Sequence, residues 1–323
     1  MPSRLDYYKR VILANGLGVR SHVSFWHETP EVHKPAFDQG STAYYQTFRM
    51  KADYAGPFDE DGVPMLDYRG IIGRQYNPIA IAQYALGNYN LYLEGDHARL
   101  GHFMTQADWL VSNLKPNPQG VAVWNHYFDW FYREGLVAPW YSALAQGPGI
   151  SVLIRAHLET GAARYADAAV QAYEAFERSI ADGGVVYFDE AGDPWVEEYL
   201  VTPPSHVLNG LLWASWGLYD YGKLGGHKVG TELFERSVDT VVKNLDRWDA
   251  GFWSCYEIRP GRIPMVASPY YHTLHITQMD IMHQITGRAE FINRAGRWRS
   301  YRASRLKRNL ALAYRALYKV FYY

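Results

Sequence analysis

The sequence predicts a mainly α fold: an incomplete (α/α) toroid of helical hairpins behind a smaller N-terminal β-containing, extended region. Three observations predict it. From Asn77 onward, four segments share one plan: an apolar helix, a glycine-centred turn and a second, amphipathic helix. The turn glycines Gly95, Gly161, Gly225 and Gly287 are separated by 66, 64 and 62 residues, by subtraction. Such regularity is expected when each hairpin buries its face against the next. The connections between hairpins, such as GGVVYFDEAGDPWVEEYLVTPPS, are long, aromatic and partly strand-like. They suit a toroid whose inner helices begin at a central cleft lined by those connections.

In chain order, residues 1–14 read as a short amphipathic helix. Residues 15–75 are rich in Gly, Pro and Tyr and read as extended, partly strand-forming chain. The division is thus residues 1–75, extended, and 76–323, toroid. The first hairpin opens on Tyr76-Asn77-Pro78, with proline suited to a first helical turn. Tyr76, Gln83 and Tyr84 there are candidate sugar contacts. The second opens on Trp140-Tyr141-Ser142 and runs into small residues around Gln146. Trp140, Tyr141 and Gln146 are candidates for the same role. Thr202-Pro203-Pro204-Ser205 signals the start of the third, with Asn209 as its candidate contact. Tyr270-Tyr271-His272-Thr273-Leu274-His275 opens the fourth, with His272 and His275 as its candidate contacts. The closing LKRNLALAYRALYKVFYY reads as a basic amphipathic helix packed against the body. In a toroid the helix starts converge on one mouth, and their positive ends favour an anionic ligand.

Composition narrows the function. With 323 residues, 48% hydrophobic and 20% charged, the chain is long enough for a sizeable core. Its net charge of −1 argues against a general nucleic-acid binder. The 27 Tyr, 11 Trp and 13 Phe fit either a large aromatic core or a sugar cleft, where flat rings cover the C–H face of a pyranose. The single cysteine, Cys255, excludes an internal disulfide and a multi-thiolate metal site. Neither a leader peptide nor a membrane span is read, so a soluble chain is expected, cytoplasmic as it stands unless exported by another route. Dinucleotide, phosphate-loop, serine-elbow and zinc-protease motifs are absent, so no cofactor is expected. His272 and His275, three apart, suit a metal only weakly without a third ligand; hydrogen-bonded histidines are the expectation.

Three runs carry candidate chemistry. In Trp195-Val196-Glu197-Glu198-Tyr199 the acids lie on a loop entering a helix, where they are either solvated or functional. If Tyr256-Glu257-Ile258-Arg259 is a strand, Tyr256 shares a side with Ile258, and Glu257 with Arg259. The third is the Tyr-His-Thr run at Tyr271.

These runs, together with PWYSALAQGPGISVLIRAHLETG, VLNGLLWASWGLYD and YNPIAIAQYALGNY, closely resemble the C-terminal helical domain of the D-glucuronyl C5-epimerase family. That family converts glucuronate to iduronate in heparan-type chains. The resemblance covers roughly residues 76–93 and 135–302, with several motifs in order. It implies an (α/α) toroid, a glucuronate-containing polysaccharide as substrate and a homodimer as the assembly. The larger β-rich portion that animal members carry before the WYSALAQG-like segment is missing or reduced here. The family's Glu-Glu-Tyr motif falls on Glu198 and Tyr199, its Tyr-x-x-Arg motif on Tyr256 and Arg259, and its Tyr-His-Thr motif on Tyr271 with His272.

Inversion at C5 needs a cation for the sugar carboxylate and developing enolate. It also needs two proton-transfer groups on opposite faces. Arg259, whose planar fork matches a carboxylate, is assigned the first task. Glu198 and Tyr271 are assigned the second, with Tyr199 and Tyr256 nearby and Arg259 or a protonated His272 easing phenol ionisation. A polysaccharide lyase, which abstracts the same proton and expels the C4 substituent, is the nearest rival. A toroid glycoside hydrolase would use two of Glu197, Glu198, Asp189 and Asp193. A non-catalytic carbohydrate-binding module is the fourth reading.

Overall fold

The structure is a computed structural model that describes residues 25–26, 28–131, 134–261 and 263–322, without the side chains of 320–322. The helix expected over 1–14 lies outside the described residues.

Four helical hairpins form the body. They pair α1 (Pro78–Leu93) with α2 (Arg99–Asn113), α3 (Ala143–Thr160) with α4 (Ala163–Glu177), α5 (Leu208–Lys223) with α6 (Lys228–Asn244), and α7 (Pro269–Thr286) with α8 (Ala289–Ala303). A last helix, α9 (Arg305–Tyr322), follows. The first helix of each pair is buried on nearly every side for much of its length, and the second only on one stripe. That difference is what inner and outer rings of a toroid require. Neighbouring inner helices α1, α3, α5 and α7 pack in sequence order. The tightest approach is α3 on α5: a Cβ on Gly147 would come within 2.5 Å of the Ala214 Cα.

The helix starts are capped as their residues suggest. Asn77 accepts from the Ile79 and Ala80 amides, Ser142 from Leu144 and Ser268 from Tyr271. Gly161 and Gly287 end α3 and α7 in the left-handed conformation. In the third hairpin that role falls to Gly226 (φ 77°), not Gly225, which is instead pressed against the Tyr221 carbonyl.

Short antiparallel pairs decorate the connections: β1 (Met65–Asp67) with β2 (Arg74–Tyr76), β3 (Lys115–Pro116) with β4 (Ala122–Val123), β5 (Trp130–Phe131) with β6 (Gly135–Leu136), and β7 (Val186–Phe188) with β8 (Pro194–Val196). The last pair holds the acidic run in place.

The N-terminal segment closes the other end of the ring. Asn90 of α1 bonds the backbone of Tyr44 and Gln46, and Arg155 of α3 donates to the Thr42 and Ala43 carbonyls. Asp220 of α5 accepts from the Tyr45 hydroxyl, and Thr277 of α7 donates to the Pro30 carbonyl. Arg155 and Asp220 are both fully buried and pair at 2.6 Å. Removing one partner of such a pair costs about 3–5 kcal/mol, because the other charge is left unpaired. Residues 30–46 thus touch all four inner helices, mostly toward their C-terminal halves. Tyr44, Tyr45 and Phe48 belong to the same core as the helices. The opposite end, where the inner helices begin, holds the acidic and tyrosine-rich motifs.

Candidate active site

Three connections and two helix starts build the site. After β8 the chain bends at Glu198 and Tyr199, and the two adjacent acids meet different partners. Glu197 turns into the core, where its carboxylate accepts from the His206 backbone N–H at 3.0 Å and pairs with His206 Nδ1. This holds His206 at φ 43°, in the left-handed region, and anchors the turn into α5. Glu198 turns the other way and lies against the first turn of α5. Asn209 Nδ2 donates to its Oε2 at 3.3 Å. Gly210 makes the room: a Cβ there would meet Glu198 Oε2 at 2.3 Å and its Cβ at 2.6 Å.

Tyr199 and Tyr256 continue from Glu198 as a hydrogen-bonded series, Tyr256 donating to Tyr199 and Tyr199 to Glu198. Tyr271, in the first turn of α7, sets its ring edge-on to Tyr256 with centroids 4.9 Å apart. Trp140 borders the group 6.5 Å from Tyr199, its far face stacked on His126. Burial governs the protonation of this cluster. Desolvation lifts the Glu198 carboxyl from 4.5 to about 8, against the hydrogen bonds from Tyr199 and Asn209. The helix start alone would favour the anion, but burial outweighs it. Tyr199 and Tyr256 are pushed well above the ordinary phenol range by burial first and then by the nearby Glu198. They are therefore O–H donors at neutral pH.

Arg259 does not join this group. Tyr256 and Glu257 alternate as a strand would have them, although only isolated bridges form there. Arg259 Nη2 donates to Glu134 Oε1, at 2.5 Å, and to the Pro203 carbonyl, at 3.2 Å. Glu134 starts the second arm of the β5–β6 hairpin, 125 residues away in sequence. Beside Arg259, Glu257 is nearly buried, and desolvation lifts its carboxyl to about 7 despite the guanidinium. The carboxylate partner that Arg259 is expected to grip is thus, in this structure, one of the protein's own.

The other expected contacts divide sharply. Asn209 touches Glu198. Gln83 is fully buried with neither amide atom hydrogen-bonded. Gln146 is fully buried and turned to the backbone: its amide accepts from the Trp124 N–H and donates to the Ala122 and Ala172 carbonyls. Tyr141 donates to the Gly183 carbonyl. Tyr76 is bound to Asp59 and rests on Trp109 of an outer helix. Tyr84 faces Phe58 and His102 in a shallow hollow that also includes Arg99.

His272 and His275 are fully buried and hydrogen-bonded within the protein. Both share the Ser254 hydroxyl through Nδ1, and His272 Nε2 meets the Trp298 carbonyl. Burial lowers His272 to about 4 and His275 well below its ordinary value. Burial thus favours the neutral form of His272 near neutrality, against the cation expected beside Tyr271. Among the described residues no three His, Cys, Asp or Glu side chains are grouped to hold a metal.

Sequence reasoning missed Glu134 and a buried pair behind Tyr270. There Lys51 Nζ lies 4.0 Å from Glu28 Oε1 and donates to the Phe25 carbonyl. Gln46 links Glu28 to Trp213 of α5. Nothing local marks either pair, since each is assembled from distant segments.

A family profile described as the D-glucuronyl C5-epimerase C-terminus matches residues 119–300. The chain belongs to this family. The match contains Glu198, Tyr199, Tyr256, Arg259 and Tyr271, and lies wholly after the N-terminal segment that closes the ring. A D-glucuronyl C5-epimerase of Caenorhabditis elegans is 33% identical over 219 residues, 62% of this chain and 34% of that protein. An uncharacterized protein of Methanocaldococcus jannaschii is 27% identical over 201 residues, 61% of this chain and 64% of that one. The chain thus spans about a third and just under two thirds of these relatives. A cellobiose 2-epimerase of Spirochaeta thermophila superposes with a TM-score of 0.50 at 13% identity, covering 78% of this chain and 65% of that one. That likeness concerns the fold, and it places the family member among (α/α) toroids. No described helix is long and apolar enough to cross a membrane.

Proposed function

We propose that the protein inverts C5 of D-glucuronate to L-iduronate within a heparosan-like polysaccharide. The observation that carries this reading is the series Glu198–Tyr199–Tyr256–Tyr271, in which Glu198 and Tyr256 are buried and Tyr199 and Tyr271 half-buried. Glu198, a carboxyl of raised proton affinity, stands at one end of it, and the Tyr271 phenol at the other, edge-on to Tyr256.

The chemistry follows from those protonation states. A carboxylate of pKa about 8 is a far stronger base than an ordinary one. Glu198 takes the C5 proton in its ionised form, roughly a tenth of molecules at pH 7. Tyr271 gives its phenolic proton to C5 from the other face. The enzyme is then left with protonated Glu198 and a Tyr271 phenolate. Tyr199 and Tyr256, lying between them, return the proton and restore the starting state. During the reaction the sugar carboxylate would displace Glu134 from Arg259, exchanging one carboxylate for another at the same guanidinium.

The hydrolase reading loses its second carboxylate. Glu197 is bound to His206, Asp189 is held by the β7–β8 turn and Trp195, and Asp193 pairs with Lys243. The lyase and the epimerase differ in product. The test is incubation of glucuronate polymers in D₂O, followed by NMR. Deuterium at C5 with iduronate signals supports epimerisation. An ultraviolet-absorbing unsaturated end would establish the lyase, and polymer bound without deuterium uptake would establish a binding module.

A further inference from the structure

The chain is nearly neutral overall, but its charge is unevenly distributed. From Arg288 to the C-terminus there are ten Lys or Arg and a single acid, Glu290. Those on the first part of α8 are compensated. Arg288 pairs with Asp239, Arg294 with Asp246 and Asp249, Arg297 with Asp249, and Arg299 with Asp280. From the end of α8 onward the pattern changes. Arg302, Arg305, Lys307 and Arg308 have no Asp or Glu within ion-pair distance among the described residues. Arg308 caps α8 through the Arg302 and Ala303 carbonyls, and Lys307 lies over the Tyr301 ring. Arg302 and Arg305 are exposed. Four uncompensated cations at one corner repel one another, so the corner is built for an anionic partner.

Its position says which one. Arg302 Nη1 reaches Thr273 Oγ1 at 3.4 Å, in the first turns of α7. Thr273 is two residues from Tyr271, hence on the other side of the helix, about 10 Å across. Farther along α9, Tyr314 and Arg315 bond the Pro264 and Val266 carbonyls, supporting the connection that carries Tyr256 and Arg259. A chain leaving the tyrosine cluster over the start of α7 meets the cationic corner within one helix width.

We propose that this α8–α9 corner is a docking surface for the anionic glycan flanking the reacting sugar. The proposal rests on the epimerase reading for its ligand, a polymer carrying repeated carboxylates. The experiment measures binding separately from turnover. Full-length protein is titrated against an end-labelled, unsulfated glucuronate polysaccharide at low and moderate salt, by fluorescence anisotropy. Arg302→Glu/Arg305→Glu is expected to bind about tenfold more weakly, with a shallower salt dependence and unchanged thermal unfolding. Arg302→Lys/Arg305→Lys, which keeps the charge, should stay within about twofold.

Unchanged affinity in the charge-reversed variant overturns the proposal. Leu306, Leu310 and Leu317 lie exposed on a neighbouring face of α9, so phosphatidylglycerol vesicles are the competing probe. Vesicle capture abolished by the same reversal, without polymer affinity in the parent protein, would reassign the corner to lipid and overturn the proposal. C5 exchange is read in parallel. Polymer affinity that falls on charge reversal, with no exchange in the parent, upholds the surface and sinks the epimerase reading. Exchange with unaltered affinity does the reverse.

Discussion

Glu198→Gln is expected to stabilise the protein while abolishing its reaction, and the pH dependence of both effects follows from one titration. The folded carboxyl ionises near 8 and the unfolded one near 4.5. Between those values the folded state holds the extra proton, so stability falls as pH rises from 4.5 to 8 and is level outside that window. At pH 7 the accumulated penalty spans 2.5 units, about 3 kcal/mol at 1.36 kcal/mol per unit. Gln carries the same shape without the charge and escapes the penalty. Urea unfolding at pH 4.5, 6, 7 and 8.5 should therefore show the two proteins nearly equal at the acid end. The variant should gain about 3 kcal/mol by pH 7. Glu257 titrates similarly but is common to both and drops out of the difference. Exchange at C5 in the parent should move oppositely, rising about tenfold per unit below pH 8 and levelling above it. A stability difference that does not change with pH would refute the burial argument. Wild-type exchange in Glu198→Gln would remove Glu198 from the reaction.

Tyr271→Phe should keep the fold and lose about 10²–10⁴-fold in C5 exchange; NMR in D₂O reads it, and near-normal deuterium uptake would eliminate Tyr271 as the second proton-transfer group. Arg259→Lys should lose about 100-fold in kcat/KM, because a point charge does not reproduce the planar fork. Full activity there would refute the exchange of Glu134 for substrate. Gly210→Ala would stabilise an ordinary helix by about 1 kcal/mol. Here the added methyl meets Glu198 Oε2 at 2.3 Å, so exchange should fall more than about tenfold and its pH limb should move toward acid as the carboxyl is displaced into solvent. Unchanged pH dependence would separate Gly210 from the carboxyl's position.

The architecture was legible because hairpin periodicity is local. Apolar inner helices, amphipathic outer ones and their caps follow from residues near one another in the chain. The motif Glu198-Tyr199 was also legible as a loop before a helix. What could not be read is where side chains spend their hydrogen bonds. Gln146 looks available in sequence, yet three backbone groups claim it. His272 looks like a cation for a neighbouring phenol, yet Ser254, Trp298 and burial keep it neutral. Arg259 looks free to bind substrate, yet Glu134 reaches it across 125 residues. Each case depends on a partner whose identity is a tertiary fact.

The N-terminal segment resolves a difficulty in the fold. A full toroid closes on itself, whereas four hairpins leave their inner helices facing space that must be filled. Here residues 30–46 fill it, fastened by Asn90, Arg155, Asp220 and Thr277. Glu198 lies at the other end, enclosed by its own neighbours on the first turn of α5, and that burial raises its carboxyl. The same enclosure that makes an ionised carboxylate costly there makes it a strong base once formed.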